Sequence, residues 1–345
     1  MLTKSFKFCT KQFKFISTVL IFCLSLSSFA HVSAAGEKIA LINVGSGASN
    51  IHTPDPELYK VKIVTAHFRT KSGTNRNYTL YIPEKNSILP ESPFPFLVLI
   101  HGFFMTGYQH SNNAKYYAQR GFVTITPDMT KLLLGDENRT KNVCDILEQI
   151  SGLIKDSKTP SSSLYGLIDP NRIGIAGNSA GGAVCLELLL EAQKTDIPIQ
   201  AMCSLDGVPW DRTKKQMEKL KPVNILSLRA EPGLCNYYAR MVPYLKLLKF
   251  AYNDVKINGA HHCDVENPTT LGCRCVCGAS NEKNRALFQH LTYLFFRDSL
   301  SGSTLAGSPA ETFIEAVKDL KKDGIAIADL NQLKPLRLAG SSTIQ

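Results

Sequence analysis

The chain has 345 residues, 44% hydrophobic and 20% charged, with a formal net charge of +10. That length is enough for one large domain with a full core. Its basic residues are scattered apart from Arg212-Thr213-Lys214-Lys215, which speaks against nucleic-acid binding and leaves at most a weak pull toward anionic membrane or polymer surfaces.

Residues 1–34 read as a signal peptide. Lys4, Lys7, Lys11 and Lys14 form a positive start, Phe15 to Phe29 is apolar, and Val32-Ser33-Ala34 offers a small-residue cleavage site. The apolar run is short and broken by serines, unlike a membrane anchor. The protein is therefore expected to be exported, periplasmic or secreted. Removing the signal leaves 311 residues and a charge of +6. Residues 35–60 read as a loose leader, 61–300 as the catalytic domain, and 301–345 as a C-terminal helix and tail.

From Val61 onward, short apolar runs predict strands at Val61–Phe68, Tyr78–Ile82, Phe94–Ile100, Phe122–Thr126, Arg172–Ala176, Gln200–Leu205, Val223–Leu228 and Phe250–Ile257. Helical patterns fall between most of them, at Ser111–Arg120, Lys141–Ile154, Ala183–Gln193 and Cys235–Leu248, with another at Glu282–Arg297. Strands alternating with helices give an α/β fold, a mainly parallel central sheet with helices on both faces. Ser308-Pro309-Ala310-Glu311 reads as a capping box opening a helix through Leu320, and Gly324 ends it. Ile325 to Gln345 is expected to drape over the domain or to be loose.

The segment Gly174-Ile175-Ala176-Gly177-Asn178-Ser179-Ala180-Gly181-Gly182 holds a Gly-x-Ser-x-Gly frame between a predicted strand and a predicted helix. A strand that turns sharply into a helix pushes the serine Oγ into the open, and the flanking glycines avoid collisions of a Cβ with neighbouring backbone. Ser179 is the candidate nucleophile. A serine hydroxyl needs a base, an acid that orients the base, and donors for the oxyanion. In strand–turn–helix hydrolases the order is serine, acid, histidine. His261 and His262 follow a predicted strand in Asn258-Gly259-Ala260-His261-His262-Cys263-Asp264, while His290 lies inside a helix pattern. Either of the pair suits the base. Asp206 and Glu231 each follow a strand and are candidate acids. Asp206 is favoured because its shorter side chain holds an imidazole more rigidly and Gly207 lets the chain turn.

The strand ending at Ile100 runs into His101-Gly102-Phe103-Phe104. The amides of Phe103 and Ala180 are the candidate oxyanion donors. His101 itself reads as a strand-end residue bonded to nearby backbone. Eight cysteines remain after Cys9 and Cys23 leave with the signal, and Cys263, Cys273, Cys275 and Cys277 crowd into fifteen residues. In an oxidising compartment a bridge from Cys263 to Cys273 or Cys277 is expected beside the site. The competing reading, zinc held by His261, His262 and these thiols, suffers from irregular spacing. Cys185 and Cys203 read as small buried hydrophobes.

His101-Gly102-Phe103, the run Asp169 to Gly182, Leu205-Asp206 and Gly259-Ala260-His261-His262 together resemble the α/β-hydrolase superfamily. The similarity is to its platelet-activating-factor acetylhydrolase, chlorophyllase and bacterial polyester-hydrolase-like esterases, and it spans roughly Val61 to Arg297. It implies an α/β-hydrolase fold and a serine esterase, with neither metal nor organic cofactor. The Leu-Asp step of the first two kinds matches Asp206, whereas polyester hydrolases carry the acid one strand later, which favours Glu231. The resemblance also implies His262 over His261, through the Gly-x-x-His pattern. It assigns nothing to Asn178, and the crowded cysteines are not family features. Only seventeen residues separate Leu205 from Val223, too few for a helical cap domain. The site is therefore expected to be open, walled by Phe103, Phe104, Met105 and Trp210, with Trp210 in the core as the alternative. The expected substrate is a small-molecule or lipid ester. The rivals are an amide or peptide hydrolase with the same triad, and a non-catalytic binding protein on the same fold.

Overall fold

A computed structural model describes residues 58–84, 93–129, 136–195, 197–300 and 311–330. The predicted signal peptide, nearly all of the leader, the Ser308–Ala310 turn and the tail beyond 330 lie outside the described residues. The strands are β1 (Val61–Arg69), β2 (Asn75–Pro83), β3 (Phe94–Ile100), β4 (Val123–Pro127), β5 (Ile168–Asn178), β6 (Ile199–Leu205), β7 (Asn224–Arg229), β8 (Asn253–Ile257) and β9 (Ala326–Leu330). The helices are α1 (Ser111–Ala118), α2 (Asp136–Lys158), α3 (Ala180–Ala192), α4 (Asp211–Lys214), α5 (Met241–Leu245), α6 (Leu271–Cys277), α7 (Glu282–Leu300) and α8 (Phe313–Lys322).

Among the described residues all nine strands join one sheet in the order β1-β2-β4-β3-β5-β6-β7-β8-β9. From β4 to β8 neighbouring strands run parallel, while β1, β2 and β9 are antiparallel additions at the two edges. This is the α/β-hydrolase architecture. The centre is apolar on both faces, which explains the unbroken run of β3. Phe96, Val98 and Ile100 pack with Val184 and Leu188 of α3 and Ile146 and Ile150 of α2. The alternate residues Leu97 and Leu99 pack on the other face, with Tyr117 of α1 and Phe295 and Phe296 of α7. The two faces thus share each strand by its period of two.

Three expectations change. The helix predicted at Cys235–Leu248 shrinks to α5, because Tyr237, Tyr238 and Ala239 take left-handed backbone, with φ of 48°, 57° and 62°. The C-terminal helix is capped by Thr312 rather than Ser308. Glu315 N–H donates to Thr312 Oγ1 at 3.3 Å, and Thr312 N–H donates to Glu315 Oε2 at 2.8 Å. Residues 326–330, after the turn at Gly324 (φ 70°), form the edge strand β9, which pairs with β8 from Ile257↔Ala326 to Asn253↔Leu330. Between β6 and β7 lie only α4 and a 3-10 turn, Met217–Lys219. No cap domain is inserted there.

Phe296 is wholly buried where α7 meets the central strands, and a Cβ on Gly174 of β5 would lie 2.7 Å from its ring. Truncating a ring in so close a fit leaves a cavity. Phe296→Ala is expected to lower the unfolding free energy by about 3–5 kcal/mol, read from the shift of a urea midpoint.

Candidate active site

β5 ends at Asn178, and Ser179 is the N-cap of α3 with φ 52° and ψ −121°. A side chain in this left-handed region is strained, and the surroundings hold it there. Ser179 N–H donates to Leu205 O at 3.2 Å, and its carbonyl accepts from Gly182 N–H at 3.0 Å and Val208 N–H at 2.8 Å. A Cβ on Gly177 would strike the Gly181 carbonyl, and one on Gly181 would strike the Ile100 carbonyl. The two glycines therefore let α3 start hard against the ends of β3 and β5. Ser179 remains partly exposed.

Leu205 and Val208, which hold Ser179, flank Asp206. Asp206 is itself left-handed at φ 46° and buried. The expected turn at Gly207 is thus made by the aspartate. Gly207 serves instead for close approach, since a Cβ on Gly182 would lie 2.7 Å from its Cα. His262 Nδ1 lies 2.6 Å from Asp206 Oδ2. An ionised carboxylate only accepts, so the proton is assigned to Nδ1 and Nε2 is left as the basic nitrogen. Asp206 also accepts from Ala230 N–H at 3.1 Å and from Asn236 Nδ2, 3.1 Å to each oxygen.

His261 is exposed, with its ring close to where a Cβ on Gly278 would stand. The Glu231 carboxylate goes to Lys256 Nζ at 2.6–2.7 Å and to Gly259 N–H at 3.2 Å. Burial pushes its carboxyl up, but Lys256 and the Gly259 amide outweigh that and hold it below the usual range. The geometry joins His262 to Asp206 and ties the Ser179 backbone to the loop that carries Asp206, and it leaves Glu231 and His261 outside the Asp206–His262 bond.

On the other side of Ser179, a Cβ on Gly102 would lie 3.2 Å from Ser179 Cβ, so the turn bearing Phe103 rests on the elbow. Phe103 and Phe104 are exposed and stack edge-on at 4.2 Å between centroids, with Phe104 at φ 57°. Met105 is half-buried, as is Trp210, which packs on the core with Arg212 5.2 Å over its ring. His101 donates from Nδ1 to Gly102 O at 2.8 Å and accepts Met129 N–H on Nε2 at 3.0 Å. Burial lowers its pKa, which suits this neutral structural role.

Cys263 bridges Cys273, and Cys235 bridges Cys277. The sulfurs of Cys263, Cys273 and Cys277 lie within 4.8 Å of one another, but disulfide sulfurs are not the thiolates a zinc site needs. Among the described residues Cys144, Cys185, Cys203 and Cys275 are free; Cys185 and Cys203 are buried, and burial pushes the Cys203 thiol up to about 12.

The chlorophyllase family model matches residues 59–231, from the start of the sheet past the elbow and Asp206. The chain belongs to the chlorophyllase family. A bis(hydroxyethyl) terephthalate hydrolase from Streptomyces coelicolor is 30% identical over 150 residues, 43% of this chain and 42% of that protein. The chain thus matches less than half the length of that relative. The crystal structure of a dienelactone hydrolase from Anabaena variabilis is similar at a TM-score of 0.49 and 18% identity, covering 70% of this chain and 99% of that one. These similarities are to esterases and hydrolases of the α/β-hydrolase superfamily.

Within this chlorophyllase-family fold, sequence reasoning missed Asn236 and Cys235. Nothing local marks Asn236, whose partner Asp206 lies thirty residues earlier. Cys235 was legible only as one of an even set. The two bridges flank the Asp206–His262 pair: Cys263 follows His262, and Cys235 precedes Asn236. Replacing Cys263 and Cys273 by alanine opens a ten-residue loop and is expected to cost about 2–3 kcal/mol of stability, measured by denaturant titration. Losing the 42-residue Cys235–Cys277 link is expected to cost about 4 kcal/mol on the same measurement.

Proposed function

We propose that the protein is an exported serine carboxylic-ester hydrolase working through a Ser179–His262–Asp206 triad and an acyl-enzyme. The observation that carries this reading is the His262 Nδ1–Asp206 Oδ2 hydrogen bond of 2.6 Å on loops tied to the strained elbow of Ser179. Ser179 Oγ attacks the ester carbonyl as His262 Nε2 takes its proton. Asp206 orients the ring and stabilises the imidazolium. The Phe103 and Ala180 amides receive the oxyanion, each worth about 3–4 kcal/mol in the barrier. Collapse expels the alcohol with the proton from His262, and water then releases the acid by the same steps in reverse order.

The substrate class we propose is a small ester with an apolar or aromatic acyl group. Three features support it: the absence of a cap between β6 and β7, the exposed Phe103 and Phe104 beside the elbow, and a relative named for hydrolysing a terephthalate ester. Export rests on the N-terminal signal pattern alone.

Ser179→Ala is expected to abolish both fluorophosphonate labelling and turnover of p-nitrophenyl esters, by at least about 10³-fold. An intact wild-type protein left unlabelled at Ser179 would refute the reading. Asp206→Asn is expected to lower kcat by roughly 10⁴-fold, because the imidazole loses its orientation and counter-charge. Glu231→Gln is expected to cost less than about tenfold on the same assay; the reverse ranking makes Glu231 the acid.

A further inference from the structure

Behind the triad, a line of buried polar side chains joins the nucleophile elbow to the histidine loop. His110 Nε2 donates to Asn178 Oδ1 at 3.1 Å, and Asn178 Nδ2 donates to Glu266 Oε1 at 3.4 Å. His110, Asn178 and Glu266 are all buried, and Glu266 has no exposed surface. Asn178 immediately precedes Ser179. Glu266 closes the 3-10 turn His262–Val265, its N–H donating to Cys263 O at 3.3 Å. Both ends are fastened. Asn113 Nδ2 bonds His110 Nδ1 at 3.3 Å and Val265 O at 3.1 Å, and Asn267 N–H donates to Gln109 O at 2.8 Å.

Glu266 Oε2 has no hydrogen-bond partner among the described residues. The Thr270 backbone amide lies near enough to favour the carboxylate, but no well-formed hydrogen bond reaches Oε2. A buried carboxyl so thinly satisfied is costly to keep, and such groups gather at functional sites. The groups facing it are the His262 imidazole on its own turn, the Arg285 guanidinium of α7, the Thr270 backbone and Asn178. Asn178 in turn faces His110, whose pKa burial lowers to about 4, so that ring is neutral at ordinary pH.

We propose that Glu266 is a positioning residue of the catalytic machinery. Through Asn178 it fixes the elbow against the histidine loop, and its negative charge steadies the imidazolium that His262 becomes during turnover. The inference rests on the serine-esterase reading above. Asp206 holds the ring by a direct bond, and Glu266 acts on it through charge alone, in a buried setting where charges are felt more strongly than in water. Burial pushes the Glu266 carboxyl up to about 7, against the pull of His262. The charge is therefore present on the alkaline side of neutrality and withdrawn on the acid side.

This raised pKa also sets the sign of a stability effect. The folded state favours protonated Glu266, so its contribution is full below the unfolded value of 4.5 and is lost as pH rises through about 7. Glutamine keeps the oxygen that accepts from Asn178 and removes the charge. Glu266→Gln is thus expected to gain thermal stability relative to wild type at about pH 8, and to gain less at about pH 5.

The test is kcat and KM for a p-nitrophenyl ester between about pH 5 and 9, with melting temperatures, for wild type, Ser179→Ala, Glu266→Gln and Glu266→Asp. Glu266→Gln is expected to lower kcat by roughly tenfold with KM within about twofold. The wild-type acid limb is expected to be steeper than a single ionisation, and that of Glu266→Gln to be single. An unchanged kcat and acid limb in Glu266→Gln, with turnover that still depends on Ser179, overturns this inference alone. If wild type shows no Ser179-dependent turnover, the esterase reading falls and this one with it. Should the glutamine variant fail to fold, Glu266→Asp decides: a retained steep limb supports the proposal and a single-ionisation limb overturns it.

Discussion

Ser179 can sit at φ 52° only because backbone from three strand ends closes around it. Left-handed backbone at a residue with a Cβ costs on the order of 1–3 kcal/mol and relaxes unless its neighbours over-determine it. Here the hydrogen bonds to Leu205, Gly182 and Val208 do so, with Gly177 and Gly181 allowing main chain to approach where any side chain would collide. The constraint also places the rest of the site. Leu205 and Val208 bracket Asp206, so the bonds that hold Ser179 in its strained conformation also fix Asp206. Ile100 and His101 press on Gly181, so the turn carrying Phe103 is fixed as well. The sheet order β3-β5-β6 is what delivers these two loops to opposite sides of the serine.

The histidine lacks that kind of support. It stands beyond β8 in a loop whose only regular structure is one 3-10 turn, and a sheet end cannot by itself order such a segment against its conformational entropy. The chain compensates locally. Asp264 accepts from His261 N–H at 2.8 Å and from Asn284 Nδ2 at 3.3 Å. The Cys263–Cys273 link begins one residue after His262, and the Cys235–Cys277 link begins one residue before Asn236, which grips Asp206. The ends of the Asp206–His262 bond are thus each braced by a covalent cross-link next door.

The central strands and the elbow were legible in the sequence because each leaves a local mark: an unbroken apolar run where both faces are covered, and glycines at fixed offsets from a serine. Residues that act through distant partners leave none. Asn236 meets Asp206 across thirty residues and Glu266 meets Asn178 across eighty-eight, and neither spacing is a pattern. The segment after Cys235 misled for a different reason, since its apolar spacing suits a helix while three consecutive non-glycine residues turn left-handed. β9 was missed because its sequence, Ala326-Ile327-Ala328-Asp329-Leu330, does not alternate apolar with polar although its burial does, the apolar Ile327 being exposed. Choosing His262 over its neighbour needed family likeness; the register of a tight turn decides it, and the sequence does not spell out that register.

The two candidate carboxylates, of which the sequence favours Asp206, occupy different dielectric settings, and that difference bears on what each can do. Asp206 is buried, and both its oxygens are taken up by an amide, an asparagine and the imidazole. Such a group is held in one orientation, with every donor aimed at its charge, which is what orienting an imidazole requires. Glu231 lies nearer the surface, neutralised by Lys256 and bonded to Gly259 N–H. Its charge is already matched by the lysine, so its remaining influence on the histidine is mechanical, exerted through Gly259 at the root of the loop. Glu231, one strand later, is therefore no copy of Asp206: its bonds to Lys256 and Gly259 N–H anchor the start of the loop that carries His262.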